Sequence, residues 1–167
     1  NRCYINTVQG KQALIVPLTS KHGKVKITDV RIDHTQKWLN NHWRTIQSAY
    51  GNSPFFEHYG PDLQAVLFKK YDFLYDMNFH LLTLCLKWLE CSIPVRESLA
   101  YETEIIPPVQ DLRSVIRPKI DTLGKIYLPV PYRQVFGNMF VENLSLIDLI
   151  FCEGPGAWGV VKASAGR

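Results

Sequence analysis

His42 and Arg44 lie close together in Trp38-Leu39-Asn40-Asn41-His42-Trp43-Arg44-Thr45-Ile46-Gln47-Ser48-Ala49-Tyr50, and Glu57 follows within Ser53-Pro54-Phe55-Phe56-Glu57-His58-Tyr59. An imidazole titrates near neutrality and can take a proton from an attacking amine. A guanidinium can clamp a carboxylate or phosphate through two parallel hydrogen bonds. Glu57 and His58, just past a helix, sit where loop residues reach a cleft, and Glu57 can orient His42 or accept a proton. Around these three candidate catalytic residues stand Trp43, Tyr50, Phe55, Phe56 and Tyr59, whose faces suit a nucleobase or sugar ring. The combination describes a polar pocket walled by aromatics. Each residue also has a plainer role: His42 packed beside an apolar stripe, Arg44 in a surface salt bridge, Glu57 solvated, and the rings in the core.

Other chemistries find less support. There is no HExxH and no His pair at helical spacing, so no metal is expected. A Walker loop and a dinucleotide-binding glycine fingerprint are absent, and Gly154, Gly156 and Gly159 follow a helix instead of joining strand to helix. No cofactor is expected. Cys3, Cys85, Cys91 and Cys152 are scattered without a short CxxC pair, which reads as reduced thiols in a reducing compartment. Cys3 or Cys152 as a catalytic thiol lacks a local His partner. Lys11, Lys21, Lys24, Lys26 and Arg31 give the N-terminal hairpin a basic face, fit for an anionic partner such as a carrier protein or for a solvated sheet edge.

Bulk properties agree with a small-molecule protein. The 167 residues suit one domain, and with 46% hydrophobic and 20% charged residues they can build a core. A net charge of +4, from nineteen basic and fifteen acidic residues, favours an anionic small molecule in a cleft but falls short of a nucleic-acid binder. No apolar run reaches the length of about eighteen residues that a membrane span needs, and no signal peptide is visible. The chain opens on Asn1-Arg2-Cys3-Tyr4-Ile5, which reads as the middle of a strand, so a preceding segment is expected.

These residues need elements to position them. Cys3 to Thr7 and Ala13 to Leu18 read as a β-hairpin about Gly10, with Pro17 at an edge or strand end. Lys24 to Ile32 reads as a further strand. Val25 and Ile27 share one parity and Val30 and Ile32 the other, so a bulge near Thr28 or Asp29 is expected if all four face the core. Leu39, Trp43, Ile46 and Tyr50 recur at helical spacing, and Gly51 terminates that helix. Pro54 can begin a short turn, and Pro61 can open a helix to about Lys69. Asp76 to about Cys91 reads as the central helix, with Phe79, Leu82, Leu86 and Leu89 on its inner face and Leu81, Cys85 and Trp88 widening it. Gln110 to Ile116 can form a short helix before Pro118. Tyr132 to Phe136 is extended or looped, with a turn at Gly137-Asn138. Ser145 and Asp148 fit a capping box for a helix through Leu146, Leu149 and Ile150 that ends at Gly154. The expected class is α/β: a single mixed domain with an antiparallel N-terminal hairpin and several packed helices.

In order and combination these stretches resemble the WbqC-like protein family. The likeness rests on Asn1-Arg2 with the following strand, Leu14 to Leu18, Trp38 to Tyr50, Ser53 to Tyr59, Pro131-Tyr132-Arg133-Gln134-Val135-Phe136, and Asn143 to Phe151 with Gly154-Pro155. It spans residues 1–167 as one domain lacking its first strand-helix segment, since the family ordinarily carries a Pro- and Tyr-rich motif with acidic residues before Asn1-Arg2. Cys152 departs from the pattern, where Asn is frequent. The resemblance implies a cytoplasmic role in bacterial surface polysaccharide (O-antigen-like) biosynthesis, with an amino acid or acyl group transferred to an activated amino- or carboxy-sugar.

Under that reading His42 deprotonates the amine, and Arg44 holds a substrate carboxylate or a nucleotide diphosphate. Arg2 or Tyr132 contacts the acyl oxygen where charge develops, and Gln134 aligns the nucleophile. Arg2, Trp43, Tyr50, Tyr132 and Gln134 are thus the candidate substrate-binding residues, and a sugar nucleotide or acyl donor is the small-molecule partner. The competing reading is a noncatalytic binding or scaffold protein held by another protein of a glycan-assembly complex.

Overall fold

The computed structural model describes residues 1–19, 25–98, 100–113 and 126–166. Strands β1 (Arg2–Thr7) and β2 (Gly10–Ile15) pair antiparallel, from Arg2 opposite Ile15 to Thr7 opposite Gly10. Gly10 closes the turn at φ +95°, a conformation that disfavours any Cβ. The Thr7 hydroxyl donates to the Gly10 carbonyl and accepts from the Gln9 N–H, which fixes the turn. Ile5, Leu14 and Val16 face the core, while Arg2, Lys11 and Gln12 face solvent.

The expected third strand is not formed. Ile27–Asp29 is a single 3-10 turn, and Val25 and Ile27 are exposed. With only Val30 and Ile32 turned inward, no bulge is needed to reconcile their parity. What remains extended is a short piece wedged between two others: Leu18 bridges Ile32, and Arg31 bridges Phe73. The turn residues Lys21, His22, Gly23 and Lys24 lie outside the described residues, as do Ser114, Val115 and Ile116. Gln110 to Arg113, the described part of the expected short helix, is not helical.

Helix α1 (Trp38–Tyr50) buries Trp38, Trp43, Ile46, Ala49 and Tyr50 along one face, and it ends at Gly51 as expected. A Cβ on Gly51 would lie 2.7 Å from the Gln47 carbonyl oxygen, which explains the glycine. Helix α2 (Phe56–Phe68) runs through Pro61, correcting the expectation that Pro61 opens a helix. Pro61 is the sixth residue of α2, past the four whose N–H groups lack intrahelical partners, so the helix gives up one hydrogen bond there, to the Glu57 carbonyl.

Helix α3 (Leu74–Trp88) is the longest, and its inner face matches the expected one only at its end, where Trp88 and Leu89 are buried. Leu74, Met77, Leu84 and Trp88 are buried, whereas Leu82 is 46% exposed. So much of this helix is apolar that two seams fit the helical period, and packing against α2 selects one. Helix α4 (Leu146–Glu153) is buried along almost its whole length, and a 3-10 turn (Gly154–Gly156) leads into α5 (Ala157–Ala163), an element that was not anticipated.

The helices and hairpin share one core. Tyr50, Phe151, Ile150 and Ile5 are fully buried at its centre. Phe151 lies 5.4 Å from the Tyr50 ring and edge-on to Phe56 at 5.1 Å. Burying each such ring stabilises the fold by about 1.5–3 kcal/mol. The fold is a mixed domain with an N-terminal antiparallel hairpin and several packed helices. No helix among the described residues is long and apolar enough to cross a membrane.

Candidate functional site

Helix α4 carries a carboxylate into this core. Asp148 has no exposed surface, and three side chains donate to it: the Tyr50 hydroxyl to Oδ1 at 2.7 Å, the Tyr132 hydroxyl to Oδ2 at 2.6 Å, and Gln134 Nε2 to Oδ2 at 3.0 Å. A buried charge-bearing group persists only with such donors around it. The capping-box reading of Ser145 and Asp148 is therefore corrected: Ser145 makes no side-chain cap, and the Asp148 carboxylate turns inward. Ser145 instead donates its backbone N–H to the Tyr4 carbonyl, tying α4 to β1.

The network extends at both ends. Tyr50 accepts the Asn6 N–H at 3.0 Å, so the outer edge of β1 is satisfied by a side chain of α1. The Gln134 amide pairs with Val141 in both directions, accepting its N–H at 2.8 Å and donating to its carbonyl at 2.9 Å, which closes residues 134–141 into a loop. Asn6 Nδ2 donates to the Phe136 carbonyl at 3.3 Å and anchors the same loop from the other side. Burial and the Asp148 carboxylate push both tyrosine hydroxyls well above their ordinary range, Tyr50 with its phenol fully in the core and Tyr132 with part of its ring exposed.

This loop forms one wall of a cleft of about 750 Å³. Tyr132, Arg133, Gln134, Asn138 and Phe140 line it from the loop, Asn52, Ser53 and Pro54 from the turn after α1, and Cys152 and Glu153 from the end of α4. The Cys152 thiol is pushed up to about 12 by burial and by Asp148, so it is protonated at neutral pH and is no nucleophile. Burial likewise raises the Cys3 thiol. Gly154 brings α4 and the turn together: at φ +51° it lies under the Phe55 ring, and a Cβ there would come within 2.6 Å of three ring carbons. The Phe55 N–H donates to the Phe151 carbonyl beside it.

Tyr50, Tyr132 and Gln134 thus converge, although on Asp148 and not on an open site. Tyr50 is completely buried, and its hydroxyl meets Asp148 and Asn6 and no open space. Trp43 is 7% exposed and stacks on Phe56, so it is core for the reason that half of its helix faces inward. The expected catalytic trio is not drawn together. His42 is half-buried on α1, edge-on to Trp38. Burial lowers its pKa below the ordinary value of 6.5, leaving a neutral imidazole. Arg44 lines a second, smaller groove, and Glu57, His58 and Arg2 are exposed. Asp148 and Glu153 were not anticipated as site residues. An acid in the middle of Leu146-Ile147-Asp148-Leu149-Ile150-Phe151 is the signal that could have found Asp148. No cluster among the described residues has three or more side chains able to hold a metal.

Comparison with known proteins adds one relationship. No curated protein and no solved structure matches the chain. A family match covers residues 1–110, from β1 through α3 and beyond, and so includes Asn6 and Tyr50 of the buried network. The chain that folds around Asp148 belongs to the WbqC-like protein family.

Proposed function

We propose that the cleft beside Asp148 binds the sugar of an activated amino- or carboxy-sugar, and that the protein transfers an amino acid or acyl group to it during bacterial surface polysaccharide assembly. The observation that carries this reading is the make-up of the cleft. Asn52, Asn138, Arg133 and Glu153 offer planar polar groups at its walls, and Phe140 offers an aromatic face, the mixture that suits a sugar ring. Tyr132 and Gln134 hold the wall in place through Asp148 instead of meeting the ligand with free polar groups.

Glu153 is the acid–base side chain in this cleft. In the transfer, the sugar amine attacks the carbonyl of an acyl thioester. The N–C bond forms, the C–S bond breaks, Glu153 takes the amine proton, and the thiol leaves with a proton returned from Glu153. For a carboxy-sugar the sugar carboxyl enters as its own thioester, and the amine of the amino acid attacks it with the same loss of thiol.

Binding of a panel of nucleotide-linked amino sugars tests the reading directly. Saturable binding is expected, weakened about tenfold or more by Asn138→Ala or Arg133→Ala, the loss of one or two ligand hydrogen bonds. With a thioester donor present, mass spectrometry should find an amide that Glu153→Gln suppresses. Binding without any amide would leave a sugar-binding protein and remove the transferase. Absence of binding, with stable capture of another glycan-assembly protein, would replace the reading by the scaffold.

A further inference from the structure

We propose that the groove between the hairpin turn and α1 is an oxyanion site, taking a phosphate or carboxylate group of a small molecule on Arg44. It is separate from the cleft beside Asp148, with about 430 Å³ of space, and it does not depend on that cleft binding a sugar. Arg44, Thr45 and Ser48 share one face of α1, opposite Thr7, Gln9 and Gln12 of the hairpin, with Phe136 at one side.

The chemistry of the walls decides the ligand. Among the described residues no carboxylate lines the groove, and Arg44 is the charged side chain in it. The ion pairs found among the described residues, Lys87 with Asp62 and Arg113 with Asp111, do not involve Arg44. The Thr7 and Thr45 hydroxyls already donate to the Gly10 and Asn41 carbonyls, so they frame the groove without competing for its occupant as donors. Arg44, Gln9, Gln12 and Ser48 remain as donors facing an acid-free space. A planar guanidinium supported by neutral amides and a hydroxyl matches an oxyanion, because it can give two parallel hydrogen bonds while its neighbours fill the remaining lone pairs. A cation would be repelled by Arg44, and a neutral ligand would gain no charge-assisted bond from it.

The loop of residues 134–141 separates the two spaces. Phe136 borders the groove, while Gln134, Val135 and Gly137 border the cleft. Asn6 holds that loop from the β1 side, next to Thr7 in the groove. An anion on Arg44 therefore sits across one loop from whatever the cleft holds, a placement suited to a second substrate or to the charged tail of one extended ligand.

Titration of the full chain with pyrophosphate, inorganic phosphate and succinate, followed by amide and side-chain NMR shifts, tests the site. Saturable shifts at Arg44, Ser48 and Gln12 are expected for at least one anion. Arg44→Gln should weaken that binding about tenfold or more, as loss of a charge-assisted pair does. Ser48→Glu, which adds an acid to the groove at an exposed position, should abolish it. Lys162→Gln removes the same charge far along the chain on α5 and should leave it unchanged. Preference for pyrophosphate identifies a phosphate source and preference for succinate a carboxylate source. Failure of all three anions to saturate overturns the proposal, as does an Arg44→Gln variant that binds normally. So does a Lys162→Gln variant that loses as much, since that would trace the attraction to net charge. None of these outcomes touches Asn138 or Arg133, so the cleft is judged separately.

Discussion

At the scale of single residues, Asp148 is the position with most at stake. Its two oxygens serve Tyr50, Tyr132 and Gln134, and an amide can accept on one side only. Asp148→Asn must aim its NH2 at a donor, leaving at least one hydroxyl or amide of the network unpaired in the core. A loss of about 1–3 kcal/mol is expected, read as a lower denaturant midpoint at unchanged slope. Tyr132→Phe removes a single donor while two remain, and it should cost less. His42 makes a pH-dependent contribution of its own. Its folded pKa lies below the unfolded value of about 6.5, so the unfolded chain binds the proton more readily between the two. Stability contributed by neutral His42 is present above that window and is lost as pH falls through it. Wild type should therefore lose more stability than His42→Gln between about pH 7.5 and pH 5, and equal losses in the two chains would contradict this.

At the scale of elements, α3 offers the sharpest check because two faces compete. Leu84→Ala empties a buried site and should cost about 2–5 kcal/mol, whereas Leu82→Ala, at a half-exposed position, should cost under about 1 kcal/mol. Thermal or denaturant unfolding of the two variants compares them directly, and a reversed order would restore the seam of Phe79, Leu82, Leu86 and Leu89. The hairpin, α1 and the Gly51 stop were legible because local signals agreed: a glycine with positive φ at Gly10, and apolar residues repeating at a single period in α1. In α3 the same rule found the helix but not its orientation, since Leu81, Leu82, Leu84, Cys85 and Leu86 leave the period with more than one phase. The segment from Val25 to Ile32 failed for the opposite reason. Its β-branched residues favour extension, but only Arg31 and Ile32 find a neighbouring backbone to bridge. Asp148 was illegible because a Ser followed three residues later by an acid is a local pattern, while its true partner Tyr50 lies 98 positions away. Tyr50, Tyr132 and Gln134 were chosen for their chemistry, and that chemistry proved to be turned toward one another.

At the scale of the whole molecule, the family match ends at residue 110, whereas the core does not. Ile150 and Phe151 of α4 are fully buried against side chains of the matched part, and Asp148 supplies the acceptor for Tyr50. A chain ending at residue 110 would expose the Tyr50 and Phe56 rings that Phe151 covers and leave the Tyr50 hydroxyl without its acceptor. It should lack a cooperative thermal transition, while the full chain shows one by circular dichroism. Cooperative melting of the shorter chain would mean that α4 is dispensable for folding. A two-stranded hairpin ordinarily has two open edges, and one of these is closed by the Tyr50 hydroxyl on the Asn6 N–H. That single amide is consequently a clock for the molecule. In deuterated water its neighbour at the turn, Val8, should exchange at once, while Asn6 should wait for the opening that separates α1 from α4. Its exchange rate would time how often the buried network comes apart, residue by residue of the loop it holds, without any ligand or assay.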